Sequence, residues 1–217
     1  MITLYGCYRS RATRPLWLLA ETGTPFTHVP VIQSYRLNQP KAPDAPLNTA
    51  SPEFLAVNPI GQIPVLVDGA LTLSESLAIT MYLARRYGGA LGPASDAESA
   101  LMEQWSLFAA TAVEGPALDI RMTLDKGMKT AEAEAFVAIS AEKLRRPLGY
   151  LAGALKEDWL VGGRFTVGDL NVAECVRYAA AHGALMDEFP AVKAWLARAQ
   201  ARPAFQKMWA AREAEPL

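Results

Sequence analysis

The chain is short of cysteine, of net charge and of long apolar runs, and each shortage removes a class of protein. Its two cysteines, Cys7 and Cys175, stand far apart among 217 residues. That is too sparse for a secreted disulfide scaffold and lacks the spacing of a zinc site, so a reducing compartment and no metal are expected. The 21 basic residues are balanced by 22 acidic ones, leaving no bulk field to hold nucleic acid or an anionic membrane. A small neutral or zwitterionic partner fits better. The most apolar stretches, 15–20 and 179–186, are far shorter than the roughly 20 residues of a membrane span. The opening residues, Met1 to Gly6, are strand-like and lack the basic start and apolar run of an export signal. The protein is therefore expected in the cytoplasm. Internal repeats and low-complexity tracts are also missing. What is present is a hydrophobic content of 51%, enough for one large core or two small ones.

Short strand-like runs alternate with helical ones as far as Tyr87, and strand signals stop beyond Asp96. The Gly88-Gly89-Ala90-Leu91-Gly92-Pro93 stretch between them ends helices and makes turns. The expected division is a domain over 1–87, a linker over 88–95 and an all-helical domain over 96–217. In the first half the pattern predicts strands at 2–5, 26–31, 65–67 and 70–73, and helices at 11–22 and 76–87. Ser51-Pro52-Glu53 has the residues of a helix start, predicting a short helix over 52–57, and Asp68-Gly69 supplies a hairpin turn. Four strands with helices on their faces make a small α/β layer. In the second half, apolar residues recur at helical spacing over 97–123, 130–155 and 168–181, and twice more after Pro190 and Pro203. Val172, Val176 and Ala179 or Ala180 form an inward stripe there, with Glu174 and Arg177 on other faces.

Three segments of the first half carry chemistry. Asn58-Pro59-Ile60-Gly61-Gln62-Ile63-Pro64 runs through an Ile-Pro step into a strand. A cis bond at that step would leave the backbone of Ile63 open at an edge, where an extended peptide can add. Trans proline at a strand start is the ordinary alternative. Glu75-Ser76 stands at the start of a helix, where free N–H groups, the helix dipole and a hydroxyl suit a carboxylate while the acid suits a nearby ammonium. The plainer reading is a serine cap preceded by a surface acid. Cys7-Tyr8-Arg9-Ser10-Arg11 joins the first strand to the first helix, a junction that lowers thiol pKa values. There Ser10 could donate to a bound sulfur; otherwise Ser10 caps the helix, Arg11 and Arg14 form a solvated face, and Cys7 fills the core.

Together these segments resemble the thioredoxin-like domain of the glutathione S-transferases, in a bacterial-type, serine-like form. The resemblance extends to Gly163-Arg164-Phe165-Thr166-Val167-Gly168-Asp169-Leu170, which looks like the family's capping box, with Thr166 and Asp169 capping one another. Phe189 to Leu196 and Arg202 to Phe205 are similar to its last helices. It implies a thioredoxin-like α/β N-terminal domain with an all-helical C-terminal domain. It also implies a cytosolic homodimer with glutathione as co-substrate, no metal, and a small apolar electrophile in a pocket beside the helical domain. Gln62, Ile63, Pro64, Glu75 and Ser76 would hold the tripeptide. Asn48-Thr49-Ala50 stand where the family often has His or Lys for the glycine carboxylate, and Gly168 replaces a frequent Ala.

Three residues are open as the activator of the thiol. Ser10 falls on the serine of serine-type members and is the first choice. Cys7 to Ser10 has the Cys-x-x-Ser spacing of redox members, in which Cys7 would form a mixed disulfide. Tyr5 has the position used in tyrosine-type members, without their flanking pattern. A non-catalytic ligand-binding module is a third possibility, since fold does not fix activity. Met102, Trp105 and Phe108 could line the second-substrate pocket or pack a core at helical spacing.

Overall fold

In the computed structural model, which describes residues 1–216, the chain forms two compact units. One is Met1–Gly89 together with the segment from Pro203 on; the other is Ala90–Arg202. The sequence pattern places everything from residue 96 onward in one helical domain. The last helix instead packs on the first unit, because its apolar residues Phe205 and Met208 are buried and Phe205 meets Trp17 edge-on at 4.8 Å.

The first unit has β1 (Ile2–Tyr5), α1 (Thr13–Thr22), β2 (Phe26–Val29), α2 (Pro52–Val57), β3 (Val65–Asp68), β4 (Leu71–Leu73), α3 (Ser76–Tyr87) and α10 (Pro203–Ala214). The sheet order is β2-β1-β3-β4, with β1 parallel to β2 and antiparallel to β3, and β3 antiparallel to β4. This is the thioredoxin-like arrangement. Alternation along Ile2-Thr3-Leu4-Tyr5 sends Ile2 and Leu4 into the core, as a strand with its side chains on two faces must. Helix α1 is buried continuously from Thr13 to Leu19 because α3 and α10 both pack on it. Beyond the sheet's other face, Val31, Phe54 and Val65 make a small core joined by Tyr5, Leu47 and Ile63.

Register decides where a site can form. Tyr5 pairs with Val65 and Leu66 with Leu73. The end of β1, the entrance to β3 and the exit of β4 therefore lie at one edge of the sheet. The loops carrying Cys7–Ser10, Gln62–Pro64 and Glu75–Ser76 all leave from that edge.

The second unit is helical: α4 (Asp96–Phe108), a π-helical turn (Ala109–Val113), α5 (Glu114–Asp125), α6 (Ala131–Ala154), α7 (Val167–Val176), α8 (Gly183–Asp187) and α9 (Pro190–Gln200). Helix α7 is its axis, and every residue of it is buried. The expected single inward stripe is thus corrected: α4, α5 and α9 all pack on α7, so Glu174 is buried too and pairs with Arg177 at 2.8 Å. The capping box is present. Asp169 accepts from Thr166 N at 3.1 Å, Leu160 N at 3.0 Å and Trp195 Nε1 at 3.0 Å. Met102 and Trp105 are buried, and the Trp105 ring stacks on Tyr150 with Phe108 edge-on to both. Met102 and Trp105 are core packing, while Phe108 is half-buried and Tyr150 exposed. Among the described residues no helix is long and apolar enough to cross a membrane.

Candidate active site

The sheet edge where the three loops leave is built around Pro64. The Ile63–Pro64 bond is cis, as the sequence reading anticipates, and Ile63 precedes Val65, the first laddered residue of β3. The loop before it is fixed by Asn58, a buried residue whose Nδ2 donates to the Gln62 carbonyl at 2.8 Å and whose Oδ1 accepts from Ile60 N. Gly61 has φ +66°, and a Cβ there would sit 2.8 Å from the Thr49 carbonyl. Both the left-handed backbone and the close approach require glycine. The Gln62 side chain is exposed.

Glu75 and Ser76 depart from ordinary capping. Glu75 holds φ +68° and is the one non-glycine residue with positive φ among those described. Such conformations concentrate at ligand clamps. Ser76 is the first helical residue of α3, 5% exposed, and its Oγ accepts from Arg14 Nη1 at 2.9 Å. A serine hydroxyl has one proton to give. Arg14 takes up its oxygen as acceptor and leaves the proton to be donated elsewhere. Arg14 is 1% exposed, so the expected solvated face is corrected at this position; Arg11 is exposed as anticipated. A charge set in the apolar run that continues through Pro15, Leu16 and Trp17 was the signal that could have revealed it.

Asn48 and Thr49 are engaged in the architecture of the loop. Asn48 is fully buried; its Nδ2 donates to the carbonyls of Pro40 and Pro46, and its Oδ1 accepts from Ala50 N. Thr49 Oγ1 accepts from Ser34 N and donates to Ser34 Oγ. Ser51, expected to cap α2, does not do so; its Oγ accepts from Asn48 N at 3.0 Å.

At the thiol end, α1 starts at Thr13 rather than Arg11, because the chain turns through residues 8–12. Ser10 Oγ donates to the Cys7 carbonyl at 2.6 Å and accepts from Ala12 N at 3.0 Å. Gly6 lets the loop fold back on Ala12, whose Cβ would lie 2.8 Å from a Cβ on Gly6, and Pro64 Cα is in ordinary contact with the same point at 3.7 Å. The two segments therefore meet. Cys7 is 2% exposed, and its Sγ donates to Gln33 Oε1 at 3.3 Å. Burial pushes its thiol pKa up, and the charge of Glu215 adds to the rise against weaker opposing contributions from Ser10, Arg36 and the Arg9 amide. A thiol in that setting is a poor nucleophile. Tyr5 turns its ring to Phe54, 6.2 Å away, inside the small core.

Residues 1–85 match the family described as "Glutathione S-transferase, N-terminal domain" and residues 115–203 match "Glutathione S-transferase, C-terminal domain". The chain belongs to the glutathione S-transferase family. It is 34% identical to glutathione S-transferase 3 of Zea mays over 97% of this chain and 94% of that protein. It is 35% identical to the probable glutathione S-transferase GSTF2 of Oryza sativa subsp. japonica over 94% of each. Among solved structures it is similar to the theta class glutathione S-transferase of Xanthomonas axonopodis pv. citri with glutathione bound, with a TM-score of 0.72, 31% identity and 95% of each chain covered. These matches span both compact units of this glutathione S-transferase. Sequence reasoning missed Arg14 and Asn58 in the site, and Gln33, Arg212 and Glu215 around the thiol loop.

Proposed function

We propose that the protein transfers the thiolate of glutathione to a small apolar electrophile, with Ser10 as the residue that activates the sulfur. In this reading the backbone of Ile63 beside Pro64 pairs with the extended tripeptide, Gln62 borders it, and Glu75 and Ser76 take the ammonium and carboxylate of its amino-acid head. The Ser10 hydroxyl rotates from the Cys7 carbonyl to donate to the sulfur, stabilising its charge as it forms. The protein works as a cytoplasmic homodimer, with a thioredoxin-like domain over 1–87 carrying the peptide and no metal in the reaction.

The observation that carries the choice of Ser10 is the contrast with Cys7. The Ser10 hydroxyl is half-buried at the edge where the loops converge, whereas the Cys7 thiol is enclosed and its ionisation opposed. A hydroxyl stabilises a thiolate without reacting, whereas a reactive cysteine at the same place attacks oxidised glutathione, forming a mixed disulfide and releasing one glutathione thiolate. The test offers the protein a reactive aromatic electrophile with reduced glutathione, then oxidised glutathione alone, and analyses the second sample by mass spectrometry. Conjugation with no adduct on Cys7 is expected. A stable glutathione adduct on Cys7, together with disulfide reduction and no conjugation, would make the redox reading correct.

A further inference from the structure

The dipeptide Tyr8-Arg9, directly before Ser10, has all four of its backbone polar groups held by side chains. Tyr8 N donates to Glu215 Oε1 at 2.8 Å and Arg9 N to Glu215 Oε2 at 2.7 Å. The Tyr8 carbonyl accepts from Arg212 Nη1 at 2.7 Å, and the Arg9 carbonyl accepts from Gln33 Nε2 at 3.2 Å. Three of the four bonds come from Glu215 and Arg212, at the end of α10. The exchange is reciprocal: Arg9 Nε donates to the Glu215 carbonyl at 2.9 Å and its Nη2 to the Glu213 carbonyl at 3.3 Å, as a cation at a helix C-terminus does. The two short bonds to Glu215 are charge-assisted, the stronger kind of hydrogen bond.

We propose that Glu215 is a positioning residue for the reaction, its carboxylate fixing the path of Tyr8-Arg9 so that the Ser10 hydroxyl meets the glutathione sulfur. This rests on the assignment of Ser10 above. Neither strand nor helix supports residues 8–10, so nothing in the sheet's hydrogen bonding sets their path. Misplacement of a catalytic group by about 1 Å is enough to cost roughly a hundredfold in rate. A carboxylate that grips two consecutive amides prevents that drift. Its charge also helps keep Cys7 in the thiol form, so the cysteine beside Ser10 does not compete for the electrophile.

The test is a double-mutant cycle in kcat, with Glu215→Ala and Glu215→Gln made in the native chain and in Ser10→Ala. In the native chain Glu215→Ala should lower kcat about tenfold or more and leave KM for glutathione unchanged, since the Gln62–Ser76 side is untouched. Glu215→Gln, which keeps one acceptor oxygen, should fall between. In Ser10→Ala the same changes should have no further effect, because coupled residues are not additive. An equal fold-loss in both backgrounds, no loss, or a gain in kcat would overturn the proposal; a gain would mean that the tail obstructs the site. Loss on Ser10→Ala with none on Glu215→Ala overturns the role of Glu215 alone. Loss on Glu215→Ala with none on Ser10→Ala overturns the serine assignment and this route with it. If the alanine variant melts below the assay temperature, the cycle is read with Glu215→Gln.

Discussion

Two carboxylates, one in each compact unit, accept pairs of backbone amides from very different distances along the chain. Asp169 receives Thr166 N from three residues away and Leu160 N from nine. Glu215 receives Arg9 N from 206 residues away and Tyr8 N from 207. Each carboxylate takes two amides, Glu215 at 2.7–2.8 Å and Asp169 at 3.0–3.1 Å, so their number does not distinguish the two roles; the neighbours do. Asp169 is fully buried inside the helical unit, where it satisfies the start of α7 and the indole of Trp195. Glu215 grips the loop that ends in Ser10. Loss of the first should be read in stability, and loss of the second in chemistry.

The largest effect that sharpens this contrast is expected at Ser10 itself. Ser10→Ala should lower kcat for conjugation about 10- to 1000-fold, the cost of removing one donor to developing negative charge, with little change in melting. An equal loss from Cys7→Ser would break the distinction between the two residues. At the other end of the site, Glu75→Ala should weaken glutathione binding by about 1.5–3 kcal/mol, the range for a hydrogen bond to a charged group. Calorimetry checks this, and unchanged affinity would remove Glu75 from the site. In the helical unit, Asp169→Ala should cost about 1–3 kcal/mol of stability by leaving buried donors unpaired. Denaturant unfolding measures that loss, and KM for glutathione in the folded fraction should not move. Lost glutathione binding with unchanged stability would erase the comparison between the units.

Legibility in the sequence follows the same distances. The strand β1 and the helices α2 and α3 run where periodicity and turn residues put them, because those signals are local. The cis bond at Pro64 and the helix start at Glu75-Ser76 were legible too, and the Thr166–Asp169 box through the family resemblance. Helix α1 begins late because Ser10 accepts from Ala12 N and holds the chain in turns, a competition between side chain and helix that residue spacing does not resolve. Strand β2 ends at Val29, short of the expected Val31, as the chain leaves the ladder and Ile32 bridges to Asn48. Helix α8, with five residues, is too short to show a period. Arg14 was misjudged because its burial depends on the packing of α3 and α10 around α1. Glu215 carried no signal at all: an acid at the end of a chain reads as solvated until the fold brings it to Tyr8.

The most direct test is ionisation of the thiol of bound glutathione, followed by the ultraviolet absorbance of its thiolate as pH is raised, in the native protein and in Ser10→Ala and Cys7→Ser. The native protein and Cys7→Ser should ionise the bound thiol well below the pH at which free glutathione ionises, and Ser10→Ala should return it toward that ordinary value. A titration that Ser10→Ala leaves in place and Cys7→Ser shifts would contradict the assignment of Ser10.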